Sequence, residues 1–151
     1  MSKRHPSLIP VARDHVHALS IAVRLQRGRK GESDRWPQEP ADQLAALRAF
    51  YADHLQRHFE IEEDLVFPIA KRHVPESTAL VSRLLEEHRQ LERMIVSPEA
   101  ATLDAAALAA IGTLLEAHVR REDRTLFPLM EAHVPEAILS ALRVDVDARY
   151  A

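Results

Sequence analysis

The sequence predicts an all-α protein, an up-down-up-down four-helix bundle with a short extra C-terminal helix, on three observations. Ala, Leu, Glu and Arg dominate the composition and only three Gly occur in 151 residues, a mix that favours helices. Apolar residues recur at three- and four-residue steps in four long segments. The connections between those segments are short, which makes successive helices antiparallel neighbours. The length suits one domain over residues 1–151. Its bundle core is expected over about 7–133, and the extra helix over about 135–148.

The first helix is expected from about Ser7 to Arg27, through Leu8, Val11, Ala18, Ala22 and Leu25. A breaker-rich loop follows from Gly28 to Pro40, with Arg29 and Lys30 solvated in it. The second helix begins near Ala41 and carries Leu44, Leu47, Tyr51, Leu65 and Ile69. The third begins at Pro75, a favourable first-turn residue, and carries Leu80, Leu84, Leu91 and Ile95. After a break at Ser97-Pro98 the fourth starts near Thr102, with Leu108, Ile111, Leu115, Leu126 and Leu129. A fifth follows Pro135 through Ile138, Leu139 and Leu142. Pro68 and Pro128 fall inside helical patterns, where each is expected to kink or end its helix.

Composition excludes several chemistries. With no Cys there are no disulfides, no thiolate catalysis, no Fe–S cluster and no Cys-bound zinc. A formal charge of −3, spread along the chain, gives no argument for nucleic acid. No apolar run approaches the ~18–20 residues of a membrane span. The start Met1-Ser2-Lys3-Arg4-His5-Pro6 has no apolar core of a secretory signal, so a cytoplasmic location is expected.

Nine histidines stand against 5% aromatics, and their placement is ordered. His58 to Glu76 reads HFEIEEDLVFPIAKRHVPE and His118 to Glu136 reads HVRREDRTLFPLMEAHVPE. At an offset of sixty, eight of these nineteen positions are identical. The helix before each copy carries an acid–histidine dipeptide, Asp14-His15 and Glu87-His88. This pattern looks like a duplicated helix pair, with two equivalent ligand sets facing each other.

His58 with Glu62, and His118 with Glu122, are four apart and so share a helix face. In the seams 44, 47, 51, 58, 62, 65, 69 and 108, 111, 115, 118, 122, 126, 129, both pairs occupy positions where Leu is expected. His15 lies between Val11 and Ala22, and His88 between Leu84 and Ile95. Four His and two Glu buried without partners would be prohibitively costly, and a pair of divalent ions resolves that cost. Imidazole and carboxylate without thiolate suit iron or manganese, and bundle cores commonly house such sites.

These residues resemble hemerythrin and the bacterial hemerythrin-like (HHE) domains. The family shows a lone His on helix 1, His-Phe-x-x-Glu-Glu on helix 2, His on helix 3 and His-x-x-x-Asp/Glu on helix 4. Here His15, the run His58-Phe59-Glu60-Ile61-Glu62-Glu63, His88, and His118 with Glu122 match in order and spacing, over roughly residues 8–133. The resemblance implies two non-haem irons in an oxo- or hydroxo-bridged di-iron centre, with manganese or zinc as alternatives. It makes Glu62 and Glu122 the bridges, His15 and His58 ligands of one ion, and His88 and His118 ligands of the other. Invertebrate hemerythrin has His-x-x-x-His on helix 3; this chain has Glu92 at the second position.

Glu92 and His54 are additional ligand candidates. His54, one turn before His58, is read first as a core or supporting residue. Glu63 and Asp123 are read as surface groups or as supports of the ligands. His17 is expected in solvent, His5 in the tail, and His73 and His133 near helix ends. Phe67 and Phe127 are read as core. The function expected is a di-iron protein that binds or senses oxygen or another diatomic such as nitric oxide, or handles iron. One alternative is a di-iron enzyme, peroxidase- or catalase-like, or an iron donor in Fe–S cluster repair. Another is a structural bundle with a zinc or single-metal site. No protein partner can be named from the sequence.

Overall fold

A computed structural model describes residues 3–27, 36–97, 99 and 102–151. It is all-α, with no strand among the described residues. Helix α1 is Ile9–Arg27, α2 spans residues 40–73, α3 is Thr78–Val96, α4 spans residues 105–133 and α5 is Glu136–Tyr150. A 3₁₀ turn, Pro75–Ser77, leads into α3, so this helix begins after the expected Pro75. Asp104, not Thr102, starts α4: its carboxylate accepts the Ala107 N–H at 2.8 Å, a standard N-cap. The expected loop residues Gly28, Arg29 and Lys30, and Pro98 of the expected break, lie outside the described residues. No described helix is long and apolar enough to cross a membrane.

Helices α1 and α4 run antiparallel. Arg4 just before α1 pairs with Glu131, His15 with Asp123 and Gln26 with Glu116. Their backbones approach closely at Gly112, where a Cβ would sit 2.5 Å from the Ala22 carbonyl oxygen. Helices α2 and α3 are likewise antiparallel, with Arg48 donating to the Ile95 carbonyl at 2.9 Å and His88 meeting Glu63. The segment before α1 is not a free tail. The His5 N–H donates to Glu131 at 2.6 Å, and its ring meets Ser7 and Glu136.

Neither Pro68 nor Pro128 ends its helix. Proline has no N–H to offer the carbonyl four residues back, and its ring crowds that carbonyl. Both helices absorb the defect by widening one turn immediately before the proline. The Phe67 N–H reaches the Glu62 carbonyl, and the Phe127 N–H reaches that of Glu122, five residues back. Each π turn inserts one residue into the helical register. The seam therefore slips: Leu65, Ile69 and Leu129, expected in the core, are only partly buried. Val66, Ala70 and Met130 are buried there instead, beside Phe67 and Phe127, which were expected in the core. A further π turn without proline, Tyr51–Leu55, leaves Tyr51 partly exposed and buries Leu55.

The apolar core divides into two clusters. One gathers Leu8, Val11, Ile61, Phe67, Leu84 and Phe127; the other gathers Ala22, Leu47, Leu91, Leu108, Ile111 and Leu115. Between them lies a layer of buried polar side chains.

Candidate metal centre

That layer is built from one turn of each long helix. Asp14 and His15 come from α1, His58, Glu62 and Glu63 from α2, Glu87 and His88 from α3, and His118, Glu122 and Asp123 from α4. The six residues expected as ligands are all at most 2% exposed, and Glu62, His88 and Glu122 are fully buried. They form two tetrads, His15–His58–Glu62–Glu122 and Glu62–His88–His118–Glu122. In each, one potential ligand atom per residue lies within 4.8 Å of the others. Both glutamates belong to both tetrads. The π turns begin at these same glutamates, so the widening that accommodates each proline starts where a carboxylate enters the centre.

Every imidazole is oriented from behind. His58 donates its Nδ1–H to Asp14 at 3.0 Å, His88 to Glu63 at 2.8 Å, His118 to Glu87 at 3.0 Å and His15 to Asp123 at 2.8 Å. The acceptors form a closed circuit: α1 holds the histidine of α2, α2 that of α3, α3 that of α4, and α4 that of α1. With Nδ1 engaged, each Nε2 turns inward. The Nε2 atoms of His15 and His88 come within 3.0 Å of Glu122 and Glu62 respectively, and those of His58 and His118 lie at 3.4 and 3.6 Å from Glu62 and Glu122.

The inward atoms satisfy one another only in part: His88 Nε2 bonds Glu62 Oε1 at 3.0 Å, but others are left without a partner. His15 Nε2, Glu62 Oε2 and both oxygens of Glu122 are buried with no hydrogen-bond partner. The His15 Nε2–Glu122 approach is close without the alignment of a hydrogen bond. The Nε2 atoms of His88 and His118 face each other at 3.1 Å. Buried polar atoms are nearly always satisfied, so convergent lone pairs with no donor fit a cation at their focus. Two imidazoles and two shared carboxylates per tetrad form a donor set for a borderline or hard divalent ion.

Without such an ion the centre must carry protons. Burial works against charge on His15 and His88, but the carboxylates beside them prevail and raise both to about 9. His58 is raised well above its usual value, the Glu62 charge outweighing its burial. Burial, reinforced by the neighbouring His88, lowers His118 to about 4. Glu122 is pushed up to about 8 by burial and by the Glu62 charge, whereas Glu62 is held well below its usual value by His58 despite burial.

Of the additional candidates, neither joins a tetrad. His54 is exposed and packs its ring 5.8 Å from Phe50. Glu92, partly exposed, pairs with Arg89 at 3.1 Å. His17 is exposed as expected. The sequence left Glu63 and Asp123 open between surface and support; the structure makes them supports, with Asp14 and Glu87 in the same role. Their signal in the sequence is adjacency, since each is the chain neighbour of an expected ligand. Tyr150 gave no such signal. Its hydroxyl, at the end of α5, donates to Asp14 at 2.5 Å.

Aromatic rings pack against the layer. Phe59 stacks on His88 at 3.8 Å and Phe127 on His15 at 5.7 Å. A cavity of ≈ 20 Å³ touches both His58 and His118, is walled by apolar groups such as Ala18, Leu55, Phe59 and Leu115, and is also lined by Asp14, His17 and His54. That is room for about one water-sized molecule.

Residues 11–130 match the family model described as the hemerythrin HHE cation binding domain. No curated protein matches the chain.

Proposed function

The chain belongs to the hemerythrin HHE cation-binding family, and from that premise we propose that it is a non-haem di-iron protein that binds or senses oxygen or another diatomic. The observation that carries this reading is the pair of buried tetrads sharing Glu62 and Glu122, with unsatisfied polar atoms facing inward. His15 and His58 would hold one ion, His88 and His118 the other, and the two glutamates both. When bound, an iron pair supplies a redox couple and room for a small exogenous ligand.

The chain's own contributions follow from its geometry. The carboxylate circuit fixes each imidazole tautomer and ring plane and raises the basicity of the inward nitrogen. The flanking phenylalanines keep bulk water from the layer, which strengthens electrostatic interactions within it. The ≈ 20 Å³ cavity beside His58 and His118 is of a size for a diatomic and too small for a substrate of several heavy atoms. With Glu92 outside the tetrads, each ion would have two histidines.

Metal analysis joined to an absorption spectrum tests the proposal. Two irons per chain with a near-ultraviolet charge-transfer band are expected, together with a reversible spectral change when the reduced protein meets oxygen or nitric oxide. Stoichiometric zinc alone would overturn the iron assignment. Rapid peroxide turnover that disappears in Glu62→Ala would move the function to a di-iron enzyme.

A further inference from the structure

We propose that Tyr150 is a positioning residue of the centre, delivered by α5, which acts on His58 through Asp14. This assignment rests on the metal reading above. The Tyr150 hydroxyl and His58 Nδ1 donate to the same oxygen of Asp14, Oδ2, at 2.5 and 3.0 Å. One carboxylate oxygen thus has two donors, and the first limits how much negative charge the second can draw upon. A supporting carboxylate governs both the orientation and the basicity of its histidine, so a donor behind the carboxylate governs them at one remove. Burial and the adjacent Asp14 hold the phenol's pKa well above its usual value, which keeps it a hydrogen-bond donor.

The surroundings show that this contact is held in place. The Arg57 guanidinium, next in the chain to His58, lies 4.9 Å over the Tyr150 ring. Arg149 pairs with Asp64 of α2 at 2.9 Å. Leu139, Leu142 and Val146 of α5 are buried in the core cluster beside the centre. The supports of the other half carry a different second partner: Glu63 is bound by Arg89 and Glu87 by Arg121. Asp14 receives a neutral phenol in place of a guanidinium. Tyr150 also lies beyond residues 11–130, the stretch that matches the family.

Titration of metal-free protein with cobalt(II) against a competing chelator, followed by the visible spectrum of the bound ion, provides the test. In Tyr150→Phe, which keeps the ring and its packing, one of two binding steps is expected to weaken by about tenfold with an altered spectrum, the other step being unchanged. Asp14→Asn should weaken the same step. The double variant should be no weaker than the poorer single one, because both act through one path. Unchanged binding in Tyr150→Phe, or additive losses in the double variant, would overturn the assignment. Arg149→Ala removes an α5 anchor without touching Asp14 and should leave both steps intact. An equal loss there would assign the effect to helix docking and overturn the positioning role. A wild-type protein that takes up no pair of ions overturns the metal reading and this assignment with it, whereas wild-type binding with an indifferent Tyr150→Phe overturns this assignment alone.

Discussion

The His15/His58 half of the centre and the His88/His118 half share the same two glutamates and the same imidazole–carboxylate support, yet their surroundings differ. The supports of the first half are aspartates, Asp123 and Asp14, and Asp14 is backed by a phenol. Those of the second are glutamates, each backed by a guanidinium. In the first half the rings of His15 and His58 meet edge-on at 5.0 Å, each nitrogen aimed at a different glutamate. In the second, the two Nε2 atoms confront each other at 3.1 Å. Burial, reinforced by the His88 charge at that distance, lowers His118 to about 4 beside a His88 raised to about 9. In the first half both histidines are raised. Duplication of a motif therefore sets which atoms are offered to a metal. The neighbours of each copy set how many protons those atoms hold and how strongly they donate.

The largest test of this comparison separates shared from private ligands. Glu62→Ala should abolish binding at both positions, since its carboxylate belongs to both tetrads. His15→Ala and His88→Ala should each leave roughly half the metal content of the wild type, with different residual spectra for the two halves. Metal quantification on the purified variants checks this; full metal content in Glu62→Ala would rule out the bridging role.

A second test uses pH. His15 and His88 are raised above their unfolded value of 6.5 to about 9, so their charged forms stabilise the metal-free fold fully below pH 6.5. That contribution is lost as the pH rises through about 9, and the protonated Glu122 is likewise lost through about 8. The melting temperature of metal-free protein is therefore expected to fall between pH 6.5 and about 9. Metal-loaded protein should gain on it over the same range, because bound ions displace those protons and ligand binding stabilises the native state. Melting curves of both forms at matched pH decide the matter, and parallel curves would contradict it.

Smaller effects come from packing. Gly112→Ala forces a Cβ against the Ala22 carbonyl oxygen and should cost about 1–3 kcal/mol through displacement of α1 from α4. Because α1 carries His15 and Asp14, the first half should lose metal affinity before the second does. Equal weakening of both halves would show that the two are mechanically coupled. Smallest of all, Asp104→Ala removes the N-cap of α4 at a cost of about 1 kcal/mol in chemical denaturation. It should leave both binding steps unchanged, since the cap lies far along α4 from His118.

Five helices and six inward-facing residues were legible in the sequence because both depend on local periodicity. A His or Glu at a position where a 3.6-residue repeat demands Leu is conspicuous without any knowledge of its neighbours. Residues 8–129 kept that pattern well enough to place His15, His58, Glu62, His88, His118 and Glu122 on buried faces. Periodicity failed where the period itself changes. The π turns before Pro68 and Pro128 move the seam by one residue, exchanging Leu65, Ile69 and Leu129 for Val66, Ala70 and Met130. Glu92 and His54, each one turn from a buried position, were open in the sequence for another reason, spacing alone not deciding which way they face; His54 is exposed and Glu92 is partly exposed and paired with Arg89.

What the sequence determined by itself was the kind of centre: which side chains share a helix face, and that four imidazoles and two carboxylates must be buried together. Only the tertiary structure decided who stands behind each histidine. The circuit from Asp14 to His58, Glu63 to His88, Glu87 to His118 and Asp123 to His15 joins residues on different helices, as does the contact of Tyr150 with Asp14. The physical reason is one of range. A helical repeat constrains residues within a few turns, whereas a hydrogen bond between helices depends on their packing and relative register.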